Sequence, residues 1–194
     1  MLRWLLVAYL TLGHCSLAFS GESNALQEIS KRLVTYSSLS GKFRQSKQLN
    51  FMDRPLVSSG SFTLGTTEGL SWLVQKPLHS EMRVINSGVF LDGKKVQDKG
   101  VGQLMAMIME AFMTADARGV QQDFSASASL LEAQWSLLLK PKSMMLRSVL
   151  SHIELRGDKF LEEISIFELN ENSTRIQFSE VVGAKVDGRD APST

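Results

Sequence analysis

The side chains that could do chemistry in this 194-residue chain are few. Its imidazoles are His14, His79 and His152, and Cys15 is its single thiol. A metal centre needs ligands spaced so that they converge, and a nucleophilic site needs a base beside the nucleophile. Neither His79 nor His152 has a His, Asp or Glu partner at a metal-ligand spacing, and no G-x-S-x-G elbow occurs. Gly100-Val101-Gly102 opens like a dinucleotide loop, but Met105 stands where the third glycine belongs. Glu162-Glu163 is a carboxylate pair, and adjacent strand residues face opposite ways, which would keep the two groups apart. Asn172-Ser173-Thr174 matches a glycosylation acceptor, a pattern without meaning in a bacterial chain. The expectation is a protein that is not an enzyme and needs neither metal nor cofactor.

What stands out is apolar. Leu104, Met105, Ile108, Met109 and Phe112 recur at i, i+1, i+4, i+5 and i+8, one broad helical stripe with Met107 and Met113 towards its flanks. A stripe of this kind suits a helix packed on a fixed core. It also suits a movable cover, because methionine is flexible and adapts to changing apolar partners. Glycines at 100, 102 and 119 bound the segment and offer hinges.

Hydrophobic residues make up 43% of the chain and charged residues 21%, with 21 basic against 20 acidic side chains. That composition excludes a disordered chain, and the even charge gives no case for nucleic-acid binding. A lone cysteine excludes a disulfide scaffold. Residues 1–20 read as an export signal: Arg3, an uncharged run from Trp4 to Leu12, then Ala18-Phe19-Ser20 with small residues at the cleavage positions. The run is well short of the ~20 residues that span a bilayer. A lipid-anchored Cys15 is the rival reading, disfavoured because His14 before it is not small. Cleavage would remove both Cys15 and Arg3, leaving an exported chain without thiols and with balanced charge.

The elements follow from periodicity. Ser23-Asn24 would cap a helix from about Ala25, with Leu26, Ile29, Leu33 and Tyr36 on one face and Gly41 at its end. Strands are expected at 43–49, 56–64, 70–75 and 82–85, then a hairpin at Asp92-Gly93. The methionine-rich helix covers 101–115. Strands resume at 124–131, 135–139, 153–156, 160–169 and 174–182, with a short helix over 143–150. Short turns between consecutive strands favour an antiparallel meander. The fold class is therefore α+β, mainly β: a curved antiparallel sheet forming an unclosed half β-barrel, with a helical lid over a hydrophobic cavity. Residues 21–182 form that domain and 183–194 a flexible tail.

Period-2 alternation assigns the inward face to Phe43, Phe62, Leu64, Trp72, Val74, Trp135, Leu137, Leu139, Ile153, Leu155, Ile164, Ile166, Ile176 and Phe178. Both phases are apolar at 161–169, so Phe167 and Leu169 are the alternative there. The stripe Leu104, Met105, Ile108, Met109 and Phe112 would face this surface, and the two sets together are the candidate cargo-binding residues.

Phe43-Arg44-Gln45, Pro55 to Phe62, Leu70-Ser71-Trp72 with Pro77 five residues on, and Asn86-Ser87-Gly88 occur in an order that resembles the LolA-like family of periplasmic outer-membrane lipoprotein carriers. The likeness spans most of 22–182 and is nearest to a divergent branch. Six positions beyond Gly60, where such carriers place an arginine that helps hold the lid shut, stands Thr66; Val89-Phe90-Leu91 replace the usual Tyr and Trp. The resemblance implies a lipid-transport chaperone of outer-membrane biogenesis. It would act as a monomer, shield an acylated protein or lipid-like cargo, and meet an inner-membrane transporter and an outer-membrane acceptor. A half-barrel module that senses lipid or lipoprotein and regulates the envelope is the alternative.

Overall fold

The computed structural model describes residues 27–33, 35–86, 88–96, 101–115 and 118–185. The expected export signal at 1–20, the expected Ser23-Asn24 cap and residues 186–194 of the expected tail lie outside them. Eleven strands form one sheet: β1 (Tyr36–Gln48), β2 (Leu56–Gly65), β3 (Gly69–Lys76), β4 (Ser80–Ile85), β5 (Gly88–Leu91), β6 (Lys94–Val96), β7 (Phe124–Leu131), β8 (Gln134–Pro141), β9 (Leu150–Gly157), β10 (Leu161–Glu168) and β11 (Ser173–Lys185). Between β6 and β7 run α1 (Val101–Thr114) and α2 (Arg118–Asp123); α3 (Met144–Arg147) joins β8 to β9.

The strand order is β6-β5-β4-β3-β2-β1-β11-β10-β9-β8-β7, with every pairing antiparallel. The sheet is an unclosed half-barrel. Because β6 and β7 are its two opposite edges, the chain between them must cross a face of the sheet, and that crossing is α1 and α2. Register shifts at 36–38, 40–42, 59–60, 161–163 and 167–168 bend the strands. Bulges of this kind add local twist, and here they coil the sheet around the helix. Gly60 shows how tightly: a Cβ there would lie 1.8 Å from the Leu73 carbonyl oxygen.

Three sequence expectations need correction. The first helix was expected to continue to Gly41, but the helical residues are 27–30 and β1 begins at Tyr36. Residues 36–41 pair with both β2 and β11, and two ladders of hydrogen bonds outweigh a weak helical period. Residues 183–185, assigned to a flexible tail, belong to β11, where Gly183 faces Leu39. Gly119, read as a boundary, sits inside the short helix α2.

Candidate functional site

The concave face is apolar over most of its length, with Thr174 buried in phase with Ile176. Phe43, Phe62, Leu64, Trp72, Trp135, Leu137, Leu139, Ile153, Leu155, Ile164, Ile166 and Ile176 are buried in one cluster, with Val74 and Phe178 half-buried against it. Between 161 and 169 the inward phase is Ile164 and Ile166. Leu169 is exposed, and Phe167 stacks on His152 with ring centres 4.4 Å apart.

From α1, Met105, Ile108, Met109 and Phe112 enter the same cluster, with Leu104 half-buried beside them. Met113, expected on the flank, is 1% exposed. It lies one helical turn beyond Met109, so four-residue spacing was the signal that could have found it. Spacing also offered Leu70, in phase with Trp72, and Ile29, on the apolar face of the first helix, whereas Val120 and Leu150 become core only through the tertiary fold.

Two aromatic walls receive the helix. One is Phe43 stacked on Trp72 at 3.7 Å, with Phe62 and Phe178 meeting edge to face at 5.3 Å. The other is Trp135, on which Phe112 of α1 stacks at 5.1 Å and 14°. Trp135 is held in place. Its Nε1 donates to the Asp158 carbonyl at 2.7 Å, and a Cβ on Gly157 would come within 2.7 Å of the ring. Little space remains between the walls: a hollow of about 20 Å³ bordered by Tyr36, Phe62, Met109, Phe112, Met113 and Phe160. The hollow has room for about one water molecule. Side chains of α1 fill the rest of the interior there.

Thr66 lies in the exposed β2–β3 turn, on a groove of about 330 Å³ that Met107 and Glu110 of α1 also line. Thr66 is neutral and brings no charge to this side of the helix.

The outer face is polar. Glu162 and Glu163 both border a groove of about 670 Å³ that runs from Arg156, Gln177 and Glu180 to Trp135 and Phe178 of the inward set. The groove opens beside the register shift between Leu161 and Glu163. Glu163 has partners: Gln177 Nε2 donates to it at 3.2 Å, and Arg175 Nε lies 3.6 Å away. Burial, and then the nearby charge of Asp158, raise the Glu162 carboxyl above its ordinary value. His152 Nδ1 is 3.0 Å from Ser151 Oγ, with Glu154 3.7 Å from Nε2, too far for a hydrogen bond. Among the described residues no group of His, Cys, Asp and Glu could hold a metal ion.

No family model matches the chain, and no curated protein matches it. Solved structures do. A LolA superfamily protein from Nitrosomonas europaea matches with a TM-score of 0.47 and 6% identity, over 87% of this chain and 96% of that one. An outer membrane lipoprotein-sorting domain from Vibrio parahaemolyticus matches at 0.41 and 8%, over 84% and 93%. The MucA/MucB complex of Pseudomonas aeruginosa matches at 0.39 and 15%, over 87% of this chain and 58% of that one. The chain is similar to LolA superfamily structures, at the low identity of a divergent branch.

Proposed function

We propose that the protein is a periplasmic carrier. It would shield the acyl chains of a lipoprotein or lipid-like cargo between the inner and outer membranes, receiving it from a transporter and passing it to an acceptor. The observation that carries this reading is the plug. Met105, Ile108, Met109, Phe112 and Met113 of α1 occupy the apolar hollow of a sheet whose two edges are not joined.

The energetics allow exchange. Exposing each plug side chain costs roughly 1.5–3 kcal/mol. An acyl chain recovers about 0.8 kcal/mol per methylene buried. An acyl chain of about a dozen methylenes therefore balances several plug residues, and loading needs no ATP in the carrier itself. The periplasmic location rests on the export signal read at residues 1–20, and the family motifs around Phe43, Pro55 and Trp72 support the same reading.

The test is a fluorescent acyl probe with the Met109→Glu variant. The carrier reading expects Met109→Glu to keep most of the melting temperature and to lose probe binding at least tenfold. Wild-type protein should hand the probe to acceptor vesicles. A large loss of melting temperature with unchanged binding per folded molecule would leave α1 as a core helix. Binding without transfer would favour a sensor.

A further inference from the structure

Exposed large apolar side chains are not scattered over this molecule. Among the described residues only Leu130 and Val182 lie towards one end of the sheet. The others gather at the end formed by the β1–β2, β3–β4, β8–β9 and β10–β11 connections and the strand ends beside them. Phe51 and Leu78 are 78% and 79% exposed, Met144 and Met145 87% and 77%, and Val149 and Leu169 more than half.

Three of these connections are tied into one surface. The Asn50 backbone N–H donates to Asn172 Oδ1 and its side-chain amide to the Asn170 carbonyl, both at 2.9 Å. The Leu169 N–H donates to the Val149 carbonyl at 2.9 Å. The tips are apolar points on separate loops, raised on a rigid sheet, and they form no groove. One of these connections, β8–β9, carries charge of one sign beside its apolar tips. Residues 140–149 carry Lys140, Lys142 and Arg147 and no acid. Arg147 is braced through Nε, which donates to the Pro141 carbonyl at 3.0 Å; its terminal nitrogens have no partner among the described residues. Asp53, Asp92 and Glu171 sit in other connections, so the unopposed cations are confined to the segment that also carries Met144 and Met145.

We infer that this end docks on an anionic lipid bilayer, with Met144, Met145, Val149, Leu169 and Phe51 entering the interface and Lys142 and Arg147 meeting the phosphates. Flexible methionines at exposed tips suit a fluid, irregular apolar phase. Cations near a negative leaflet add attraction that salt screens. No helix among the described residues is long and apolar enough to cross a membrane, so the contact is peripheral. The hollow near Tyr36 and Phe160 is at the opposite end of the strands, and docking leaves that end facing the aqueous space. The inference stands apart from the carrier reading, because it needs no cargo.

The experiment is sedimentation of the chain, as isolated from its host, with phosphatidylcholine vesicles with and without phosphatidylglycerol. Binding is expected to the anionic vesicles and to weaken with salt. Met144→Ser/Met145→Ser should lower it roughly tenfold or more, with melting unchanged because both side chains are in solvent. Lys142→Ser/Arg147→Ser should lower it roughly 25-fold, at about 1 kcal/mol for each cation. Val182→Ser, at the other end, should change nothing. Failure of the wild-type chain to bind anionic vesicles would overturn the inference. So would vesicle binding indifferent to the 144/145 and 142/147 variants. A concentration-dependent dimer lost in Met144→Ser/Met145→Ser would assign the surface to a second copy instead.

Discussion

Trp135 is held from three sides. Gly157 leaves room for its ring, Asp158 accepts its N–H, and Phe112 of the plug stacks on it. Gly157→Ala would push a methyl group against both the Phe160 carbonyl, 2.1 Å away, and the ring. Overpacking of this kind costs about 1–3 kcal/mol. The expected outcome is a lower urea midpoint at unchanged slope, with altered indole emission in the folded state. A second residue-scale expectation concerns Glu162, whose carboxyl is raised by burial and by Asp158. The folded state holds that proton more tightly than the unfolded chain does. The benefit is therefore fully present below the unfolded value and is lost as pH rises through the folded one. Glu162→Gln should match wild type in acid and melt slightly higher at neutral pH. Equal melting curves at both ends of the range would contradict the assignment.

At the scale of elements, α1 is a helix held from outside. It has no acidic residue in its first turn and no basic residue in its last, so neither end is favoured by the helix dipole. Fourteen residues is near the length at which an isolated helix is marginal in water. Its stability comes from the apolar face it buries, and anything that replaces that face can release it. β2 is the opposite case. Gly60 must stay small because the β3 backbone crosses it at a bulge. Gly60→Ala should cost about 3 kcal/mol, the upper end of the overpacking range, and loosen the β2–β3 pairing. Calorimetric melting of the variant checks the first, and amide exchange along residues 69–76 the second.

The whole molecule joins a long continuous sheet to a crossing made of two helices. Its centre is β1, paired on both sides with β2 and β11 over ten or more residues. Local opening scales with how much packed surface and how many ladder bonds must break. Hydrogen exchange should therefore be slowest in β1 and β11, faster in the edge strands β6 and β7, and faster in α1 and α2 than in the sheet beneath them. Adding an acyl ligand should change exchange in the helices and leave β1 alone. Uniform exchange across helices and sheet would mean that the crossing and the sheet open only together.

The sequence alone determined much of this architecture. Alternation and turn chemistry placed most strands, because a half-buried strand writes its inward face as every second residue; Phe62, Leu64, Leu137 and Ile153 are read that way. Spacing placed the α1 stripe, since Met105 and Met109, and Ile108 and Phe112, lie one turn apart. Sequence order could not reveal that β6 and β7 are opposite edges, and so that α1 must cross the concave face. Strand order depends on contacts between residues far apart in the chain, such as β1 with β11, which no local pattern records. Nor could it show that the hollow is filled by the helix, because residual volume is a property of packed side chains. The same holds for residues 36–41, where two neighbouring strands overrule the local helical period.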